Sequence, residues 1–164
     1  GGSVWVFYVR HRYGWEGITV GLSLALFGLF HALAQAFLIG PITKRLGERG
    51  GLLVAIGADM TSYIGLGLIS NGNFIWLLIP LLCVGGMGMS ILTAVISKQV
   101  DEDRQGQLQG VMTSLQSLAA IIAPVLMLNV YFLSRDQVPG LVWIIGAGLY
   151  VLCLPVVLRR SVYR

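Results

Sequence analysis

Charged side chains are scarce in this sequence of 164 residues. Asp, Glu, Lys and Arg make up 11% of it, whereas 56% is hydrophobic and the mean hydropathy is +0.82. A soluble domain carries roughly a quarter charged residues, so this composition excludes a soluble globule, a disordered chain and a nucleic-acid-binding protein. The few charges lie in short clusters between long apolar runs. That distribution is typical of a protein that crosses a lipid bilayer several times.

Cysteine is equally rare, and motifs for catalysis are missing. Cys83 and Cys153 lie within apolar runs and form no CxxC pair, which argues against a disulfide framework or a metal site. There is no HExxH, no glycine-rich phosphate loop and no pair of carboxylates within an apolar run. We therefore expect no enzyme activity, no catalytic residue and no bound cofactor.

Long apolar runs dominate what is present. Each of them is about 18 to 23 residues long, enough for an α-helix to cross a bilayer, and none shows the alternation of a barrel strand. The predicted spans are residues 17–39, 52–69, 74–96, 111–133 and 141–158. The predicted fold is thus an all-α, polytopic membrane helix bundle. Residue 1 is Gly and the apolar stretch before residue 10 is too short to span, so we expect the sequence to begin partway through a protein.

Basic residues predict the orientation of the bundle. Loops at one end, together with the tail, hold eight of them: Lys44, Arg45, Arg49, Lys98, Arg104, Arg159, Arg160 and Arg164. The opposite loops hold three: Arg10, Arg12 and Arg135. Because cytoplasmic loops carry the excess of Lys and Arg, the C-terminus is predicted to be cytoplasmic in a cell inner membrane. Trp5, Trp15, Trp76 and Trp143 are predicted near the outer interface.

Asp59 and His31 are the polar groups within the spans that matter most. An aspartate near a helix centre costs about 2.5–3.5 kcal/mol on insertion scales and usually faces a cavity or a partner. Both residues are predicted to lie about 10–12 Å from the inner end of consecutive helices, where they could share one polar cavity. Chains of Asp and His relay protons in pumps and transporters, so both are candidates for proton coupling. A lone aspartate that fixes helix packing is the alternative.

Several weaker polar positions accompany this pair. Gln35 lies one helical turn from His31, on the same face. Gln109, Thr113 and Gln116 form one polar stripe entering the fourth span, where they could line a path or bond to neighbouring helices. The glycine-rich segment 85–88 is expected to allow close helix packing, with room for a ligand as the alternative. These residues alone indicate a proton-coupled transporter and leave the cargo open.

The sequence resembles the C-terminal half of the tetracycline/proton antiporters of the major facilitator superfamily. The resemblance rests on short segments in family order, which extend over essentially the whole chain. They are RYGW at 12–15, VGLSL at 20–24, LFHAL at 29–33, QAF at 35–37, LGER at 46–49, AD at 58–59, QVDED at 99–103, QGQLQG at 105–110 and WIIG at 143–146. It implies that residues 1–164 run from the end of helix seven through helix twelve of a twelve-helix protein, with the N-terminal half absent.

The resemblance also implies roles for individual residues. Asp59 matches the essential aspartate of the ninth helix, His31 the histidine of the eighth helix that is linked to proton coupling, and Gln35 the glutamine one turn on. Family members exchange tetracycline, chelated to a divalent cation such as Mg²⁺, for a proton. We therefore expect Gln35, Asp59 and Gln116 to contact a small-molecule drug, and we expect the protein itself to provide no metal site. Residues 40–49 resemble a degenerate copy of the superfamily's cytoplasmic loop motif, with Lys44 in place of an aspartate.

Residues 90–93 depart from the family pattern. Family members commonly have proline, alanine, leucine and glutamine there, whereas this chain has Ser90, Ile91, Leu92 and Thr93. The change affects the bend of the tenth helix and one expected cargo contact. A proton-driven exporter of another amphiphilic drug or metabolite is therefore the main alternative, followed by a non-transporting membrane scaffold.

Overall fold

The computed structural model describes residues 2–138 and 140–158. These residues are α-helical, apart from a π-helical segment at Ala34–Leu38, a 3-10 turn at Glu102–Arg104 and short connections. The helices are α1 (Gly2–Tyr13), α2 (Gly17–Leu33), α3 (Ile39–Leu68), α4 (Gly72–Gly85), α5 (Met87–Ser97), α6 (Gln105–Ser134) and α7 (Leu141–Leu158). The predicted fold class is confirmed. Arg159, Arg160 and Arg164, which contribute to the predicted orientation, lie outside the described residues.

The connection between the first two predicted spans is helical, contrary to the expected loop. Helical structure continues past residue 39, and α3 includes the polar segment that follows. Within that segment Thr43 Oγ1 donates to the carbonyl of Ile39 at 2.7 Å. The chain turns at Gly47, whose φ of 72° and ψ of 173° interrupt the helix. A single left-handed glycine therefore replaces a loop of several residues.

Four helical stretches are long and apolar enough to cross a membrane within the described ranges. They are Gly17–Leu68, Gly72–Ser97, Glu102–Ser134 and Leu141–Leu158. The first has 52 residues, and the break at Gly47 divides it into the arms that were predicted as two separate spans. The second contains α4 and α5, which meet at Gly86. The chain is therefore a multi-pass membrane protein.

The part of α3 that follows Gly47, its second arm, forms the middle of the bundle. It packs against α4, α5 and α7, while α2 packs against α4, and α6 makes its main contacts with α7 and α1. Gly146 lets α7 approach α3 closely, since a Cβ there would lie 2.9 Å from the Tyr63 ring. In contrast, Tyr131 is the buried residue of α6 among those described, and Ile121 on that helix is 68% exposed. The bundle thus has a packed centre, with α6 among the largely uncovered helices around it.

The four tryptophans lie together at one end of the bundle. Trp15 stacks on Trp76 with ring centroids 5.0 Å apart, and Trp5 lies 6.5 Å from Trp15 and 6.2 Å from Trp143. The four rings therefore share one level of the bundle. However, Trp5 and Trp143 are only 9% exposed, so this pair belongs to the core instead of forming a belt at the headgroups.

Candidate functional site

Asp59 lies in the second arm of α3 and is 8% exposed. The Tyr150 hydroxyl on α7 donates to its Oδ2 at 2.6 Å. Ser62, one turn away, donates to the carbonyl of Ala58 at 2.7 Å instead. The Tyr63 ring lies 5.8 Å from the Tyr150 ring. The buried carboxylate therefore has a tyrosine partner from a helix that begins about 80 residues later.

The other side of the Asp59 carboxylate faces bare backbone. A Cβ atom at Gly85 would overlap the carboxylate, since even Oδ2, the more distant of its two oxygens, would be 2.8 Å away. Gly85 itself is buried. The expectation of close packing at the glycine-rich segment is thus confirmed. The missing side chain at Gly85 allows the Asp59 carboxylate to pack against the backbone of α4.

Gly85 and Gly86 form a glycine pair at the junction of α4 and α5. His31 and Gln35 form a second polar group on the side of this glycine pair away from Asp59. Gln35 Nε2 lies 3.4 Å from His31 Nε2 and donates to the Gly86 carbonyl at 3.5 Å. Ser90 Oγ donates to Gln35 Oε1 at 2.9 Å. The Phe27 ring stacks on the imidazole with centroids 5.7 Å apart. Gln35 lies in the π-helical segment, a geometry that often occurs at functional sites.

Asp59 and His31 lie at one depth but do not share a cavity. A Cβ at Gly86 would lie 2.5 Å from His31 Cε1, while Gly85 adjoins Asp59, so consecutive residues separate the two side chains. The predicted match in depth is therefore confirmed. The shared polar cavity is a wrong prediction, because the junction of α4 and α5 passes between the two groups. Sequence spacing along α2 and α3 could not reveal that another helix lies there.

A cavity of about 260 Å³ opens beside Asp59. Its lining includes Asp59, Tyr150, Gly85, Gly86 and Cys153. This volume has room for several water molecules, each of which occupies about 30 Å³ in the liquid. Asp59 therefore lines a cavity, as a residue that exchanges a proton must, and it also has a fixed partner in Tyr150, as a purely structural aspartate would.

Gln116 lies apart from the other candidate residues. It is exposed on α6, as are Gln109 and Thr113, and the last two line an open groove with Ser114 and Ser117. The polar stripe predicted from spacing is therefore present on one uncovered surface. Within this chain it does not join the Asp59 site.

Comparison with known proteins identifies the family. Residues 2–124 match the Major Facilitator Superfamily. The chain belongs to this superfamily. It is similar to the class C tetracycline resistance protein of Escherichia coli, with 44% identity over 98% of this chain and 40% of that protein. The class G protein of Vibrio anguillarum is 44% identical over 96% and 40%, and the class B protein of Escherichia coli is 36% identical over 97% and 39%.

These comparisons confirm the resemblance that the motifs indicated. This member of the superfamily spans about 40% of the length of the curated relatives it matches. No solved structure matches it significantly.

Sequence reasoning missed two contributors to the sites of this superfamily member. Tyr150 is the only tyrosine of the last apolar run. Asp59 stands out because it is a polar group within a span, and the same reasoning applied to this run would have identified Tyr150. Ser90 departs from the family pattern, and its hydroxyl donates a hydrogen bond to Gln35. No sequence pattern predicts that pairing, because the two residues lie on helices far apart in the chain.

Proposed function

We propose that this chain forms the C-terminal transmembrane half of an antiporter that exports tetracycline in exchange for a proton. The observation that carries the proposal is the buried Asp59 carboxylate, which lines a cavity between α3, α7 and the glycine pair. The 44% identity to two tetracycline resistance proteins supports tetracycline as the cargo. Like other transporters of its superfamily, the protein is not an enzyme.

The partner of the chain is the N-terminal half of the same transporter. In this superfamily the cargo site lies near the bilayer midplane between two related halves. The chain corresponds in length to about 40% of its relatives, and the apolar, uncovered surface of α6 supplies a face for the other half. Gln116 on that face would contact the drug across the junction between the halves.

Competition for Asp59 couples the two fluxes. Removing a carboxylate from water is costly unless a proton or a cation compensates its charge. A tetracycline chelate of Mg²⁺ would supply that compensation and release the proton, and a returning proton would displace the drug. Gln35 would contact the polar edge of the drug, and His31 would pass the proton on or tune its release. The Mg²⁺ travels with the cargo, and no cluster of three potential metal ligands occurs among residues 2–138 and 140–158.

The bundle lies in the cell inner membrane with its C-terminus in the cytoplasm. Two contacts support this orientation by bringing basic residues together at one end. Lys98 pairs with Glu48, and Arg49 donates to the carbonyl of Leu158, the last described residue of α7, at 2.9 Å. The residues just after Gly47, the end of α5 and the end of α7 therefore lie on one side, as the distribution of basic residues requires.

Two other functions remain distinct alternatives. The first is export of another amphiphilic drug or metabolite. It is favoured because Ser90, which lies in the segment that departs from the family pattern, hydrogen-bonds Gln35, a proposed cargo contact. A membrane scaffold would need Asp59 only for packing against Tyr150.

The test is tetracycline tolerance. The full-length transporter that contains this chain is expressed in a susceptible strain of Escherichia coli, and tolerance and drug accumulation are compared with those of an empty vector. We expect higher tolerance and lower accumulation, both abolished when the proton gradient is collapsed. Unchanged tolerance with export of other amphiphiles would favour the first alternative, and no export by protein present in the membrane would favour the scaffold.

A further inference from the structure

The contact between α3 and α7 places one hydroxyl on the Asp59 carboxylate. The helices pack so that Tyr63 faces Gly146 while Asp59 faces Tyr150. Asp59 and Tyr63 are four residues apart on α3, and Gly146 and Tyr150 are four residues apart on α7. Residues four apart on a helix share one face. Because Gly146 has no side chain, the Tyr63 ring fits between the helices and packs against the Tyr150 ring at 5.8 Å. The Tyr150 ring is thereby held with its hydroxyl 2.6 Å from Asp59 Oδ2.

The two oxygens of Asp59 have different surroundings. Oδ2 accepts the hydrogen bond from Tyr150, whereas Oδ1 is the atom that lies nearest to the position of a Cβ on Gly85. Oδ1 itself occupies the room that a side chain at this position would fill. The titratable groups around the carboxylate are Tyr63 on its own helix and Tyr150 and Cys153 on α7. Oδ2 thus has a hydrogen-bond donor, whereas Oδ1 packs against the Gly85 backbone and accepts no hydrogen bond among the described residues.

We propose that Tyr150 is a positioning residue for Asp59: by holding Oδ2 it leaves Oδ1, above Gly85, as the oxygen that takes and releases the coupled proton. The proposal rests on the proposed function, which assigns proton exchange to Asp59. Tyr150 keeps its own proton throughout and acts only as a hydrogen-bond donor. When the cationic cargo approaches, the proton leaves Oδ1 for solvent, and the charge on the carboxylate is shared between the cargo and the Tyr150 hydroxyl.

The experiment compares Tyr150→Phe with a matched control, Tyr131→Phe, in the full-length transporter. Tyr131 is also a buried tyrosine with a hydrogen-bonded hydroxyl, but its partner is the Phe7 carbonyl at 3.2 Å on α1. Inverted vesicles are energised, and the velocity of proton movement is measured against tetracycline concentration. Infrared difference spectra between acid and alkaline samples report the carboxyl band of Asp59, which is assigned by its loss in Asp59→Asn. Thiol labelling checks folding, because Cys83 is buried and Cys153 is exposed.

Tyr150→Phe should lower the maximum velocity by about tenfold, in line with the loss of one hydrogen bond to a charged group. The KM for tetracycline should change by less than about twofold, because a positioning residue does not contact the drug. The Asp59 band should shift to higher wavenumber in Tyr150→Phe and stay unchanged in Tyr131→Phe. A purely structural tyrosine would lower the amount of folded protein and leave the velocity per folded transporter unchanged.

An unshifted Asp59 band and an unchanged velocity in correctly folded Tyr150→Phe would overturn the proposal. Failure of the proposed function looks different. In that case the wild-type protein would move no protons when tetracycline is added, while the band would still shift in Tyr150→Phe. That result would retain the hydrogen bond from Tyr150 and overturn the assignment of proton exchange to Asp59.

Discussion

The imidazole of His31 lies against Gly86, where a Cβ atom would stand only 2.5 Å from Cε1 and 2.8 Å from Nδ1. Nδ1 is buried and has no hydrogen-bond partner among the described residues. The glycine pair therefore serves two groups at once, since Gly85 adjoins Asp59 and Gly86 adjoins His31. The absence of side chains at two consecutive positions allows α4 and α5 to pass between an acid and an imidazole.

Gly86→Ala should destabilise the protein and separate His31 from Gln35. The added methyl group overlaps the imidazole, and overpacking of this kind costs about 1–3 kcal/mol. The matched control is Gly57→Ala in α3, where a Cβ would meet nothing within 4 Å. Thermal unfolding of the purified full-length protein measures the effect. Equal melting temperatures for the two variants would contradict the packing described at Gly86.

Asp59→Asn should abolish tetracycline-driven proton movement in inverted vesicles. The amide has nearly the size of the carboxylate but cannot ionise, so it cannot exchange a proton with the cargo. Ser62→Ala is the control, because the Ser62 hydroxyl, one turn away, bonds to the carbonyl of Ala58 and should be dispensable. Undiminished proton flux in Asp59→Asn would leave Asp59 with a packing role only.

Ser90→Ala should weaken cargo binding. It removes the donor to Gln35 Oε1, which leaves the Gln35 amide less well oriented, and one such hydrogen bond corresponds to a KM increase of about 2- to 10-fold. Thr93→Ala provides the comparison, since the Thr93 hydroxyl donates to the carbonyl of Met89 on its own helix at 2.9 Å. The KM of tetracycline uptake into inverted vesicles is measured for both variants and compared with that of the wild-type protein. An increase of the same size in both variants would rule out a specific role for Ser90.

The 164-residue chain alone should insert into vesicles but not exchange tetracycline for protons. Its α6 has an uncovered apolar surface, and the cargo site is proposed to form only when the other half covers it. Folding of the isolated chain is checked by thiol labelling, which should reach Cys153 and spare Cys83, because Cys83 is 1% exposed. Drug-driven proton movement by vesicles that contain only this chain would contradict the two-half architecture.

The sequence alone determined the properties that depend on local composition. Long apolar runs must be helical in a bilayer, because every backbone N–H and C=O needs a partner there, and this requirement predicted the all-α bundle. The cost of burying an aspartate singled out Asp59, and a rise of about 1.5 Å per residue placed His31 at the same depth. The motifs at residues 29–37, 58–59 and 99–110 indicated the family for the same reason, since each can be recognised from consecutive residues.

Only the tertiary structure decided which residues meet. The hydrogen bond from Tyr150 to Asp59 joins positions 91 apart in the chain, and that from Ser90 to Gln35 joins positions 55 apart. Such pairs depend on the rotation and register of packed helices, which apolar runs do not specify because they are hydrophobic on every side. The same holds for the turn at Gly47, where a polar segment predicted as a loop stays helical on both sides of one left-handed residue. The passage of Gly85 and Gly86 between Asp59 and His31 is likewise a property of the packed bundle, since it requires a third helix to enter between the two that carry those side chains.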